Sequence, residues 1–393
     1  MPSPWSHRYC EGDTHMPRIL ILHASLGSGH VTAANALRDA FTLRGITDVT
    51  VADVFDFGNA LYREAVTKTY GRLSENAPLL WKRVYESSDQ KSVEQAVSAN
   101  RLRVTFQRPF VRSLVKLVKE VQPDVIIGTH FIPVEILTAE RDAGAFTCPI
   151  YCVITDYMSH SNWVSPGVDG YFVAADITRD ALFVFGLDPH IVHVTGIPID
   201  PAIGLPKSKA EMRAKYNLPA ECPVTALLGG ALNPEQVRRN VERILGGESD
   251  GALVVIAGRN EALEPALEGL SSGPHVSLHT YGMVQPLDDL ITASDLVITK
   301  AGGLIVSEVL ARGRPMVIVE PIPGQEEWNA DYVSLMGAGV QLRISAMLPP
   351  TIATLLGDPA RLAGMQQAAT AAGRPRAALD IVDSVLAALR RPI

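Results

Sequence analysis

The sequence predicts an α/β protein made of two doubly wound parallel sheets in tandem. Three observations lead there. Short β-rich runs alternate with helical segments along almost the whole of the 393 residues. Several of those runs, such as Ile150-Tyr-Cys-Val-Ile154, are apolar without a break, as strands covered on both faces must be. Between Gly196 and Pro219 the alternation halts at Pro198, Pro201, Pro206 and Pro219, then starts afresh. A chain of this length also exceeds one ordinary core.

Taken in order, residues 1–15 lack the apolar stretch of a signal peptide and are expected to be a loose extension before Met16. Strands are predicted at Arg18–Ala24, Val49–Asp53, Asp124–Gly128, Ile150–Ile154, Gly170–Val173 and Ile191–Val194, which makes 16–197 a first domain. The proline-rich stretch 198–220 reads as the linker. Strands at Pro223–Leu228, Leu253–Ala257, Leu296–Ile298 and Met316–Val319 then place a second domain at 221–375. A last helix, Ala377–Arg390 within 376–393, has no strand after it and is free to pack back across the domain junction.

Residues 57–119 break the alternation. They hold no strand, only helical stretches carrying Tyr62, Tyr70, Leu79, Leu80, Trp81, Phe106 and Phe110. Twelve Lys/Arg stand there against five Asp/Glu, a balance of +7 in a chain whose net charge is −7. Cations interleaved with aromatics suit an anionic membrane surface; an ordinary solvated helical insertion reads the same way. The acidic whole-chain balance argues against nucleic acid as a partner. No apolar run has the length that spans a bilayer. Cys10, Cys148, Cys152 and Cys222 are too scattered for a disulfide framework and complete no zinc site; Cys148 and Cys152, flanking a buried-looking strand, are expected to be core thiols, and a reducing cytoplasm fits.

Two glycine loops carry the chemistry. Gly27-Ser-Gly29-His30 follows the first strand and opens a helix, with Asp53 ending the next strand where a ribose-binding acid would sit. An NAD fingerprint would need a third glycine, and Thr32 stands there instead. In the second half, Lys300-Ala-Gly302-Gly303 leaves backbone N–H groups uncovered at a helix N-terminus, a seat for a diphosphate. Glu308, one turn on, is placed to accept both hydroxyls of a ribose. Pro323-Gly-Gln325-Glu326-Glu-Trp-Asn329 crowds carboxylates and amides after a strand, as recognition of a hexose requires.

These motifs, with Thr155-Asp156, His160, Trp163 and Gly258-Arg259-Asn260, occur in an order that resembles the diacylglycerol glycosyltransferases: monogalactosyldiacylglycerol synthases and processive diacylglycerol glucosyltransferases. That family is related to the peptidoglycan N-acetylglucosaminyltransferase. The resemblance runs over nearly all of the chain after Met16. It implies a GT-B fold, two Rossmann-like domains facing a cleft, with the donor nucleotide on the C-terminal one and the acceptor on the N-terminal one. It implies that Glu308 holds the ribose, Gly302, Gly303 and Ser307 the diphosphate, Gln325, Glu326 and Asn329 the sugar, and Met283-Val284 the uracil, with Arg259 close by. Gly27 and Gly29 would admit the donor from the acceptor side, where His160 and Trp163 also lie.

On this basis His30 points where an acceptor hydroxyl loses its proton, and an imidazole titrating near neutrality suits that work. Asp156 is the rival base, or the group that orients His30. The expected activity is inverting transfer of glucose or galactose from a UDP-sugar to diacylglycerol. No metal and no further cofactor is expected, since helix dipoles and cations can neutralise the leaving diphosphate. Arg72, Trp81, Lys82 and Arg83 are the expected contacts of a cytoplasmic enzyme peripherally bound to the inner face of the membrane. Two alternatives stand beside this: transfer to a peptidoglycan precursor or another glycan, and an NAD-dependent dehydrogenase.

Overall fold

The computed structural model describes residues 16–57, 77–89, 108–248 and 250–390. The extension 1–15 and Arg72, with most of the basic segment 57–119, lie outside the described residues. The chain divides into two compact units. One runs to Ala202 and includes Pro323–Gln325 and the chain from Arg376; the other comprises Ile203–Ile322 and Glu326–Pro375.

The described part of the first unit holds strands β1 (Ile19–His23), β2 (Val49–Asp53), β3 (Val125–Gly128), β4 (Ile150–Val153), β5 (Gly170–Val173) and β6 (Val192–Val194). All pair in parallel, in the order β2-β1-β3-β4-β5-β6. Strand β1 reads ILILH and is buried throughout. Its helices are α1 (Ser28–Leu43), α2 (Pro78–Ser88), α3 (Arg108–Val121), α4 (Phe131–Asp142) and α5 (Asp176–Val184). On α3 the heptad-like spacing sorts cleanly: Leu114 and Val118 are buried while Arg112, Lys116 and Lys119 face solvent.

The second unit repeats the plan with β7 (Val224–Leu228), β8 (Gly251–Ile256), β9 (Val276–Tyr281), β10 (Leu296–Thr299), β11 (Met316–Val319) and β12 (Gly339–Leu342). The order is β12-β11-β10-β7-β8-β9, again parallel. Helices α6 (Lys209–Lys215), α7 (Pro234–Leu245), α8 (Leu263–Leu267), α9 (Asp288–Ala293), α10 (Gly303–Ala311), α11 (Gln325–Leu335), α12 (Leu348–Leu356) and α13 (Pro359–Ala372) connect and cover them. The final helix, α14 (Ala377–Leu389), packs in the first unit. It buries Leu379, Ile381, Val382, Val385 and Leu386 against Leu37 and Phe41 of α1. The Arg44 guanidinium locks that seam with two 2.6 Å bonds to Asp383.

Two sequence expectations change here. Strands β9 and β12 were not anticipated; they are the two edges of the second sheet, and most of their residues are only partly buried, so no continuous apolar run marks them. The stretch expected as linker contains α6. That helix is capped by Ser208 and tied by Lys207, Arg213 and Lys215 to the buried carboxylates Asp288, Asp289 and Asp295. Ion pairing, invisible to a reading of prolines, gives this stretch its order.

Each sheet reverses its winding once, between β1 and β3 in the first unit and between β7 and β10 in the second. Open α/β sheets bind ligands outside the carboxyl ends of strands at such switch points.

Candidate functional site

At the first switch point, β1 ends in His23 and the chain turns through Gly27, the N-cap of α1. Gly27 sits at φ +90°, where a side chain is strained although space is open around it. That turn sends His30, in the first turn of α1, inward until only 9% of it is exposed. Its Nδ1 lies 2.9 Å from the Thr129 carbonyl and 3.0 Å from Thr155 Oγ1. Thr129 Oγ1 donates back to the His30 carbonyl at 2.9 Å, so the turn after β3 grips α1 from both sides. A carbonyl only accepts, so His30 Nδ1 carries the proton and Nε2 presents its lone pair.

Burial pushes the His30 imidazole down to about 4, against the opposing pull of the Thr129 bond, and the neighbouring His23 lowers it further. This corrects the expectation of titration near neutrality: the ring is dry, so its charged form is disfavoured. His30 is neutral at physiological pH, in the tautomer a proton acceptor needs. His130 stands edge-on to it with centroids 4.5 Å apart, and Trp163, 4% exposed, packs 6.3 Å from His30 and 6.0 Å from His130. Phe131 completes the aromatic wall.

Asp156, one residue past Thr155, is 4% exposed. Its two carboxylate oxygens accept from Gln325 Nε2 at 2.9 and 3.0 Å. Gln325, expected at the sugar, thus has its amide on Asp156. His160 is buried and takes a supporting part. Its Nδ1 caps the turn at Asn162 and its Nε2 lies 3.1 Å from the Tyr85 carbonyl, near the end of α2. Asp89 accepts the Ser161 N–H at 2.8 Å, a second tie on the same helix end. Along α2, Leu80 is 53% exposed and Arg83 faces solvent. Trp81 is half-buried, its ring 5.9 Å from Tyr85, and Lys82 reaches Glu86 at 3.7 Å.

At the second switch point, the loop from β10 to α10 presents Gly302 as N-cap and Gly303 as the first helical residue, with no side chain capping the N-terminus. Asn329, fully buried, donates from Nδ2 to the Ala301 carbonyl at 3.0 Å and so fixes this loop from α11. Glu326 accepts the Ile322 N–H at 2.7 Å, and its Oε1 lies 3.6 Å from where a Cβ on Gly302 would stand. The Ser307 hydroxyl donates to the Gly303 carbonyl at 2.8 Å, one turn back in the helix. Glu308 is partly exposed on α10. After β8, Asn260 donates to the carbonyls of Gly229 and Leu232, holding the loop on which Arg259 is exposed. Met283 is 53% exposed after β9 with Val284 half-buried beside it.

The sequence reading missed His23, Thr129 and His130. The signal was there: each ends or follows a strand flanking the first switch point, as His30 does. Among the described residues no helix is long and apolar enough to cross a membrane.

Two family models match the chain. Residues 30–199 match that of monogalactosyldiacylglycerol (MGDG) synthase, and 227–381 match the glycosyltransferase family 28 C-terminal domain. A processive diacylglycerol beta-glucosyltransferase of Bacillus cereus is 30% identical over 372 residues, covering 94% of each chain. Among solved structures, Acinetobacter baumannii MurG superposes with a TM-score of 0.61 at 16% identity, over 94% of this chain and 99% of that one. CalG4, the calicheamicin glycosyltransferase, gives 0.60 at 16%, over 96% and 100%. These likenesses show the fold, which is GT-B.

Proposed function

The chain belongs to the family of the diacylglycerol glycosyltransferases, and from that premise we propose that it transfers a hexose from a UDP-sugar to the hydroxyl of diacylglycerol. The observation that carries the reading is the identity of 30% sustained over 94% of both chains with a diacylglycerol beta-glucosyltransferase, through both units. Glucose is therefore the donor sugar expected.

In the proposed reaction the second unit holds the donor. Backbone N–H groups at Gly302 and Gly303 and the dipole of α10 meet the diphosphate, and Glu308 accepts from the ribose. The first unit holds the acceptor beside His30. The acceptor oxygen attacks the anomeric carbon from the face opposite UDP, so one C–O bond forms as the bond to the β-phosphate oxygen breaks. The hydroxyl proton passes to His30 Nε2 and then to solvent, and UDP leaves with its electron pair. Attack from the opposite face inverts the anomeric centre, giving a β-glycoside from an α-linked donor.

Thr129 and Thr155 hold the His30 ring, whose neutral form persists because burial keeps it so. Asp156 enters this scheme as a polar neighbour after β4, its carboxylate engaged with Gln325. Access to a bilayer-embedded acceptor is proposed to come from peripheral docking through α2, where Leu80 and Arg83 face outward.

The test is direct. Purified protein is incubated with radiolabelled UDP-glucose or UDP-galactose and vesicles containing diacylglycerol, and the lipids are resolved. Labelled glycolipid, absent with His30→Ala, is expected. Label that enters water or a soluble glycan but no lipid would refute the acceptor assignment.

A further inference from the structure

His130 is 4% exposed and makes one hydrogen bond among the described residues: its Nδ1 accepts the Ile132 N–H at 3.1 Å and caps α4. An acceptor nitrogen is unprotonated, so the ring proton of His130 is on Nε2. That N–H has no partner among the described residues, yet it is not sealed from solvent as His23 Nδ1 is. His30 is its mirror. There Nδ1 carries the proton and Nε2, likewise unpartnered and unsealed, offers a lone pair. Two neutral imidazoles, centroids 4.5 Å apart and edge to face, thus offer one donor and one acceptor beside the first switch point. Because both atoms are unpartnered and open, they are available to a ligand that supplies the complementary acceptor and donor.

We propose that His130 is a second acceptor-binding residue, whose Nε2–H donates to an oxygen on the carbon next to the reacting hydroxyl while His30 Nε2 takes that hydroxyl's proton. The inference rests on the reading of the chain as a transferase to diacylglycerol. In that alcohol the carbon beside the hydroxyl-bearing one carries an ester, whose oxygens accept but cannot donate. A donor is what the site needs there, and a neutral imidazole N–H is one. A simple alcohol has no such oxygen. The pair therefore makes a prediction about specificity: His130 distinguishes an acylated diol from a monohydric alcohol, and His30 serves both.

The experiment uses His130→Asn, because an asparagine side chain retains the capping acceptor for the Ile132 N–H while removing the imidazole. Transfer from UDP-glucose is measured to 1,2-dioctanoylglycerol and to 1-octanol, with UDP affinity measured separately. The expected result is a fall of roughly 10-fold in kcat/KM for dioctanoylglycerol, little change for octanol, and unchanged UDP binding. Equal falls for both acceptors, or no fall, would overturn the proposal.

A second measurement needs no turnover. With 15N-labelled histidine in the wild-type chain, the spectra should show His30 protonated on Nδ1 and His130 on Nε2, and dioctanoylglycerol should shift both Nε2 signals. If the variant does not fold, or if the wild type transfers to neither acceptor, this titration decides. In the latter case the reading as a diacylglycerol transferase fails by itself, and unshifted Nε2 signals would reject the imidazole pair as well.

Discussion

On the proposal that His30 takes the acceptor proton, lowering the pH from 7 to 5 should leave transfer almost unchanged, because burial holds that imidazole neutral. With His30 at about 4, roughly nine-tenths of the rings are still neutral at pH 5. At the ordinary histidine value, only about 3% would be, and the rate would drop about 25-fold across the same interval. The two cases are far enough apart for initial rates with a short-chain acceptor in neutral micelles to separate them, provided circular dichroism confirms folded protein at each pH.

The same shift makes a stability statement. A histidine whose folded value lies below its unfolded one contributes stability that is present above about pH 6.5 and lost as the pH falls through about 4. For His30 the difference of about 2.5 in pKa corresponds to about 3 kcal/mol across that window. His23 and His130 are shifted the same way by burial and steepen the loss. Urea denaturation at pH 7 and pH 4.5 should therefore show a smaller acid penalty for His30→Gln than for wild type. A 25-fold fall in rate by pH 5 in folded protein, or an identical acid penalty in the variant, would refute the account of a dry, neutral His30.

Three further outcomes are expected. Glu308→Ala should weaken UDP binding by about 1.5–3 kcal/mol with the fold intact, the range for hydrogen bonds to a charged group, and unchanged affinity by calorimetry would remove Glu308 from the donor site. Leu379→Ala, at a position 3% exposed in the seam between α14 and α1, should cost about 2–5 kcal/mol in denaturant unfolding; a cost below 1 would mean that α14 contributes little to the first unit. Lys82→Glu with Arg83→Glu should reduce sedimentation with anionic vesicles while UDP affinity stays the same, and wild-type binding should weaken in salt. Equal binding of wild type and variant would leave α2 without an electrostatic role.

Most of the fold was legible because buried parallel strands announce themselves. ILILH at β1, IYCV at β4 and MVIV at β11 are covered on both faces and can be little else. The strands that went unread, VSLHTY and GVQL, lie at sheet edges, where half-exposure admits polar residues and erases the run. The α6 segment was hidden for a different reason. Its order depends on Asp288, Asp289 and Asp295, more than seventy residues distant in sequence, and local pattern cannot report a partner so far along the chain.

The site divides along the same line. Glycine loops are local devices, so spacing alone places Gly27 and the Gly302-Gly303 pair at the starts of helices. What sets the chemistry of His30 is not local: Thr129 and Thr155 come from turns 99 and 125 residues away, brought beside it by the crossing of β1, β3 and β4. A sequence reading can see that a histidine opens a helix after a glycine turn. It cannot see that the ring will be dry, and dryness is what moves its titration from near neutrality to about 4. The topology does offer a way in. Once the strand order puts β1 beside β3, the residues just past both strand ends become candidates together, and Thr129 and His130 join His30 before any side chain is placed.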